Sequence, residues 1–116
     1  MAKRSKVYKV PNLTVDNIVT KNIDGKEMIL LITRAKEPFK GKFAFPGGFV
    51  DYGENPEKAC IRELEEECSI IGTDPKLVCV AGEPSRDPRK HIVSIVYHVN
   101  VKDSAEIKAA DDAETA

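Results

Sequence analysis

Glu63, Glu66 and Glu67 stand three and four residues apart, so a helix through them would bring their carboxylates to one face. Like charges that close repel by a few tenths of a kcal/mol per pair even when hydrated. Arg62 can reach Glu66 on the next turn, but one guanidinium cannot balance these acids together with Asp51, Glu54 and Glu65. A hard divalent cation with oxygen ligands can; magnesium typically takes one or a few carboxylates plus waters and substrate phosphates. Such a centre suits cleavage of a phosphoanhydride, because it neutralises phosphate oxygens, stabilises charge developing in the transition state and acidifies a bound water. The competing reading is a solvated acidic helix face. The Gly47-Gly48 pair in front of the acids and the apolar positions behind them argue against it.

The elements that must position these groups follow from the surrounding residues. Asn55-Pro56 is a cap residue followed by the helical position where proline costs no hydrogen bond, so a helix is expected from there to about Cys68. Cys60, Ile61, Leu64 and Cys68 form its apolar stripe, separate from the carboxylate face. Ala59 falls one turn before Glu63 on the acidic side and is expected to leave space there for ions. Gly47-Gly48 reads as a turn that feeds the helix.

At this point the stretch resembles the Nudix hydrolases. Their box runs Gly, five residues, Glu, seven residues, Arg-Glu, an aliphatic, any residue, Glu-Glu, any residue, Gly, an aliphatic. Gly48, Glu54, Arg62, Glu63, Leu64, Glu66, Glu67 and Ile70 fill it in register. Ser69 departs from it, standing where the family has a helix-ending glycine, which bears on the cap and not on the chemistry. The resemblance implies magnesium, with manganese as a substitute, held by Glu63, Glu66 and Glu67 and by the Gly47 carbonyl. It implies Glu67 or Glu63 as the base, with Glu106, Asp111 and Asp112 as alternatives from a later loop. Arg62 and Glu54 would hold the ligands in place.

Substrate choice must come from outside the box. The segment from Thr33-Arg34 through Phe43-Ala44-Phe45-Pro46-Gly47-Gly48-Phe49 is similar to the approach to the box in archaeal and bacterial ADP-ribose pyrophosphatases. Ser85-Arg86-Asp87-Pro88-Arg89-Lys90-His91 resembles the Arg-Asp-Pro-Arg-x-His loop of the same group. Arg34, Phe45, Gly48, Arg86, Asp87 and Arg89 are therefore the candidate substrate-binding residues. The arginines would bond phosphate and Asp87 the ribose hydroxyls. The alternative for the loop is a proline-stiffened surface turn whose Arg and Asp pair with each other. His91 reads as structural; Phe43, Phe45 and Phe49 read as core, or one of them as a surface stacking on the base, and Tyr52, Tyr97 and His98 as packing or surface.

Composition bounds the rest. With 116 residues, a net charge of −1 and 32% charged residues, the chain is one domain without a field that would recruit nucleic acid or an anionic membrane. No apolar run approaches a membrane span, and the basic start lacks the apolar core of a signal peptide, so a soluble cytoplasmic protein is expected. Cys60, Cys68 and Cys79 have no metal or redox spacing and are expected as buried thiols.

Along the chain, 7–20 reads as extended, Asn22 to Gly25 as a turn, and Met28 to Thr33 as one buried strand. Phe43 to Pro46 is a short strand. Gly72 to Pro75 is a turn, Leu77 to Ala81 a strand, Gly82 to Lys90 a loop, and His91 to Val101 a strand alternating Val93, Ile95, Tyr97 and Val99 with Ser94, His98 and Asn100. The order argues for an α+β fold with a mixed sheet. The resemblance makes it a Nudix-type α/β/α sandwich that lacks its C-terminal helix. The expected organisation is a tail over 1–6, the domain over 7–101, and a polar tail or shortened C-terminal part over 102–116.

The function expected is magnesium-dependent hydrolysis of a nucleoside diphosphate linked to another group, ADP-ribose giving AMP and ribose 5-phosphate. The enzyme alternative is a nucleoside triphosphate or dinucleoside polyphosphate hydrolase. From another class come a non-catalytic module that binds ADP-ribose or a nucleotide, and an inactive fragment. The resemblance also allows a homodimer.

Overall fold

The computed structural model describes residues 9–37 and 39–102. β-Branched residues fill the first strand, β1 (Asn12–Ile23), which begins directly after Pro11, whose nitrogen cannot donate to a ladder. Asp24 and Gly25 then turn the chain with φ of 52° and 81°, the left-handed pair that a tight hairpin requires. β2 (Lys26–Ile29) returns antiparallel along the end of β1, pairing Ile23 with Lys26 and Thr20 with Ile29.

The single buried strand expected from Met28 to Thr33 is divided. β2 is exposed throughout, because no layer covers the outer arm of the hairpin; burial begins at Leu30. The chain then leaves β1, and β3 (Ile32–Thr33) pairs antiparallel with β4 (Phe43–Ala44) in a separate two-stranded sheet.

Gly47-Gly48 is also not the expected turn. It opens β5 (Gly47–Phe49), which pairs antiparallel with β1 so that Asp16 faces Gly47 and Thr14 faces Phe49. A Cβ on Gly47 would lie 2.0 Å from the Val15 carbonyl oxygen, so only glycine permits this approach. The actual turn follows at Asp51 to Glu54. There Gly53 has φ 82° and the Glu54 N–H donates to the Asp51 carbonyl at 2.9 Å.

Helix α1 (Pro56–Cys68) begins as its sequence indicates, with the Asn55 Oδ1 accepting from the Glu57 N–H at 2.8 Å and proline in the first turn. It ends at Ser69, which adopts the left-handed conformation (φ 56°) and donates its N–H to the Glu65 carbonyl at 2.9 Å. The departure from glycine at this position therefore leaves the cap geometry intact but strains it.

β6 (Thr73–Ala81) starts earlier than expected. The turn signals in Gly72-Thr73-Asp74-Pro75 appear instead as a register shift between Thr73 and Lys76, with Asp74 at φ 53°. β6 pairs antiparallel with β7 (Ile92–Asn100), and β7 runs parallel to β1 from Asn12–Ile92 to Val19–Val99. The five-stranded sheet thus reads β2-β1-β7-β6, with β5 attached to β1. This is the mixed sheet expected of an α+β fold.

Parallel register sets the faces. Val15, Asn17 and Val19 of β1 lie beside Ile95, Tyr97 and Val99 of β7, and together with Leu64, Cys60, Cys68 and Ile70 they make the core under α1. Ala59 belongs to this core and is fully buried, so it does not flank the carboxylates as expected. Cys60 and Cys68 are buried, and burial pushes both thiols up to about 11. Cys79 is exposed, because β6 is an edge strand with Leu77, Val78 and Val80 also in solvent. Among the described residues there is one helix, and none is long and apolar enough to cross a membrane. The tail expected over 102–116 lies, from 103 onward, outside the described residues, as does the segment 1–6.

The strained cap gives a first test. Replacing a left-handed serine by glycine relieves about 1–2 kcal/mol of strain and costs about 0.5–1 kcal/mol of unfolded-chain entropy. Ser69→Gly should therefore stabilise the fold by about 0.5–1 kcal/mol in urea titrations. A loss of stability would contradict the assigned cap.

Candidate functional site

The site is assembled where α1 lies against β5. Glu67, on the last full turn of the helix, is buried, and its Oε1 accepts the Gly47 N–H at 2.6 Å. Glu63 stands one turn earlier against Gly48, where an added Cβ would meet its carboxylate at 2.5 Å. Glu66 is the exposed member of the set, 46% accessible against 16% for Glu63. The sequence reading of one common carboxylate face therefore needs division: the three share a wall, but at very different depths.

Arg62 organises that wall. Its Nε and Nη2 donate to both oxygens of Glu54 at 2.7 and 3.0 Å, a bidentate pair. Nη1 donates to Glu63 at 2.8 Å and to Glu66 at 2.9 Å, while Nη2 also reaches the Phe49 carbonyl at 3.1 Å. The Glu54 carboxylate, in turn, accepts the Asp51 N–H at 3.0 Å. Arg62, and then this backbone bond, hold Glu54 down to about 2. Glu63 moves the other way: burial raises it, against the pull of Arg62 and with the help of Glu66 and Asp51.

With Glu63 and Glu66 turned to Arg62 and Glu67 turned to Gly47, no three His, Cys, Asp or Glu side chains among the described residues converge as a metal cage. The donor chemistry nevertheless fits a hard divalent cation. Glu63, Glu66, Glu67 and Asp51 line one cavity of about 580 Å³ with Gly47, Gly48, Phe49 and Lys36, and every acidic donor there is a carboxylate oxygen.

A second cavity, of about 510 Å³, shares Gly47, Gly48 and Glu67 with the first. It brings together every residue that the sequence nominated for substrate: Arg34, Phe45, Gly48, Arg86, Asp87 and Arg89. Arg86 Nη2 donates to the Ile92 carbonyl at 3.1 Å. Arg89 makes a two-point pair with Asp87, at 2.9 and 3.1 Å, and Asp87 also accepts the Arg89 N–H. Arg89 thereby holds the Asp87 carboxyl down to about 2. The internal Asp-Arg pairing weighed from the sequence is thus present, in a loop that still lines the cavity.

Phe49 lies under both cations of that loop, with the Arg89 guanidinium 5.9 Å and the Lys90 ammonium 5.8 Å from its ring centre. His91 Nε2 is 2.9 Å from the Gly82 carbonyl, closing the base of the loop, which accords with a structural role. Phe43, Phe45 and Phe49 are exposed rims and not core. The loop acids Glu106, Asp111 and Asp112 lie outside the described residues.

Sequence reasoning missed Asp16. It lines the second cavity beside Arg34 and Arg86, with the Ser94 hydroxyl donating to its Oδ2. Burial raises its pKa, opposed by Ser94, Arg86 and Arg34. The signal was available: Asp16-Asn17 is a polar pair inside an otherwise β-branched run. Lys42 and Phe39 also line this cavity and were not singled out for substrate.

Comparison with known proteins gives a family match and several similar chains. A family model described as NUDIX domain matches residues 11–116. The chain is 46% identical over 114 residues to an ADP-ribose pyrophosphatase of Methanocaldococcus jannaschii, covering 98% of this chain and 64% of that protein. A MutT/nudix family protein from Enterococcus faecalis superposes with a TM-score of 0.90 at 30% identity, over 97% of this chain and 45% of the other. The NUDIX domain of Shewanella oneidensis NrtR, crystallised with ADP ribose, superposes with a TM-score of 0.84 at 27% identity, over 93% of this chain and 71% of that one.

The two glycines differ in what a methyl group would meet, which yields a paired prediction. Gly47→Ala drives Cβ into backbone and should cost about 1–3 kcal/mol or more by thermal or urea unfolding. Gly48→Ala meets the end of the Glu63 side chain, which can swing away, so stability should stay within about 1 kcal/mol while divalent-cation affinity falls. Equal loss of stability in both would contradict the geometry.

Proposed function

The chain belongs to the NUDIX family, and from that membership we propose that it hydrolyses a nucleoside diphosphate linked to a second group, with ADP-ribose as substrate and AMP and ribose 5-phosphate as products. The observation that carries the reading is the junction at Gly47, Gly48 and Glu67. There a carboxylate-lined cavity opens into one lined by arginines and phenylalanines. A diphosphate spanning that junction would place its anionic centre between the acids and the cations. The similarity to a pyrophosphatase named for ADP-ribose, and to a NUDIX domain crystallised with it, supports the same substrate.

In this reading Glu63, Glu66, Glu67 and the Gly47 carbonyl would hold magnesium, with manganese able to replace it. A divalent cation there would shield the phosphate oxygens and acidify a water. The chain's own residues do the rest. Arg62 and Glu54 keep Glu63 and Glu66 in position, since one planar fork binds all of them. Glu67, at the junction and fixed by the Gly47 N–H, is the proposed base, and Glu63 is the second candidate. Arg34, Arg86 and Arg89 supply charge-assisted bonds to phosphate, Phe45 offers a ring to the base, and Asp87 both aims Arg89 and accepts from ribose hydroxyls.

A second reading, a module that binds ADP-ribose without turnover, draws support from the likeness to the NUDIX domain of NrtR crystallised with ADP ribose. The intact Glu63, Glu66 and Glu67 set weighs towards catalysis, because binding alone does not call for clustered acids whose repulsion must be offset.

Glu67→Gln separates the two. The amide oxygen can still accept from Gly47 N–H, so the fold and AMP binding should be kept. Chromatographic assay of AMP release from ADP-ribose with magnesium should show kcat lower by about 10²-fold or more. Turnover within a few-fold of wild type would remove Glu67 from the mechanism. Tight ADP-ribose binding without hydrolysis by the wild type would favour the sensor reading.

Acid titration should report the Arg62 clamp. A folded pKa of about 2 against an ordinary 4.5 for Glu54 means that its contribution is complete above about pH 4.5 and is lost as pH falls towards 2. Wild type and Glu54→Gln should therefore differ in stability at pH 6 and converge near pH 2. A constant difference across that window would exclude the clamp.

A further inference from the structure

The second cavity has an acid at its floor that the proposed reaction does not use. Asp16 sits mid-strand on β1, facing Gly47 across one ladder, and lies on the sheet face opposite α1. Its Oδ2 accepts from Ser94, a fully buried side chain, and no other hydrogen bond holds the carboxylate among the described residues. Oδ1 therefore remains able to accept from a ligand in the cavity, and Arg34 and Arg86 nearby offset the cost of keeping the charge there.

The wall around this floor is mixed: Arg34, Lys42, Arg86 and Arg89 make its charged part, and an apolar part lies beside them. Ile32 and Ile92 are buried at the cavity surface, while Phe43 and Phe45 stand at its rim with their faces accessible. On the apolar side, aromatic faces beside a carboxylate acceptor suit a planar heterocycle carrying an N–H donor, while Asp87 and the arginines on the other side suit the ribose and phosphates. We propose that Asp16, held by Ser94, is the specificity residue that accepts a hydrogen bond from the exocyclic amino group of the substrate's nucleobase. This rests on the reading of the cavity as the nucleotide site and adds to it the residue that selects the base. An amino-bearing base such as adenine is accepted, and a base with a carbonyl at that position sets two acceptors against each other with no proton between them.

The test compares ADP-ribose with its hypoxanthine counterpart, in which a carbonyl replaces the amino group, and measures KM and kcat separately. A site built to bond an N–H rejects the analogue lacking it. Wild type should show a KM at least about tenfold higher for the hypoxanthine substrate. Asp16→Asn, near in shape and able to turn an amide N–H or oxygen to either base, should bring the two KM values within about threefold. Ser94→Ala, which frees the carboxylate without removing it, should narrow the ratio in part, and it keeps the test available if the Asn variant folds poorly. Calorimetric binding of AMP and IMP should show the same ordering without turnover.

An unchanged ratio in both variants, or an equal loss for both substrates as expected of an acceptor for ribose hydroxyls, would overturn the inference alone. A wild type that neither cleaves ADP-ribose nor binds AMP would overturn it together with the proposed substrate.

Discussion

Arg62 is the group on which the rest of the site depends. Its guanidinium is shared among Glu54 in the turn before the helix, Glu63 and Glu66 on the helix, and the Phe49 carbonyl at the end of β5. Remove it in thought and these acids face one another across a few ångströms with little to offset their repulsion. A lysine could not replace it, because the contacts exploit a planar fork with several fixed donors. The same contacts connect strand, turn and helix at one point, so the geometry of the acids is set by the fold and not by their own short side chains.

Close backbone approach is the second constraint. Gly47 lets β5 lie against β1, and Gly48 leaves the space that the Glu63 carboxylate fills. Asn17 completes the fit from inside: its Nδ2 donates to the carbonyls of Pro46 and Cys60, tying the entry of β5 to the middle of α1. Its Oδ1 finds no partner among the described residues, a buried cost of about 1–3 kcal/mol that the two donor bonds offset. The polar core residue is thus explained by its position: it ties β1, the entry of β5 and the middle of α1 together at the base of the site.

The division of the site into two cavities follows from the topology. β1 is paired to β5 on one edge and to β7 on the other. α1 covers the core on one face of this sheet, Ile32 of β3 and Ala44 of β4 join that core, and β3, β4 and the loop before β7 also line the second cavity. Carboxylates therefore arrive from the helix, and cations and aromatic rings arrive from the connecting segments, meeting only where Gly47 and Gly48 present backbone to both. The Asp87–Arg89 pair and the stacking of Arg89 and Lys90 on Phe49 fasten a proline-bearing loop to that same junction.

Local chemistry made much of this legible in advance. The Asn55-Pro56 start of the helix, its end near Cys68, the alternation along β7 and the Gly48-to-Ile70 spacing depend on contacts within a few residues, and such contacts are written in the sequence itself. What lay beyond it was decided by neighbours far along the chain. Whether Met28 and Ile29 are covered depends on a layer that the hairpin edge does not have, and Gly47-Gly48 became a strand because β1 offered it an open edge. Ala59 was drawn into the core and Glu67 to the Gly47 N–H by how the helix rolls on the sheet. Asp16 joined Arg34, Arg86 and Ser94 only when a parallel β1–β7 pairing aligned residues 78 positions apart. Patterns of period two and 3.6 carry an element's type, but which surface meets which is a property of the assembled sheet, and only the tertiary structure decides it.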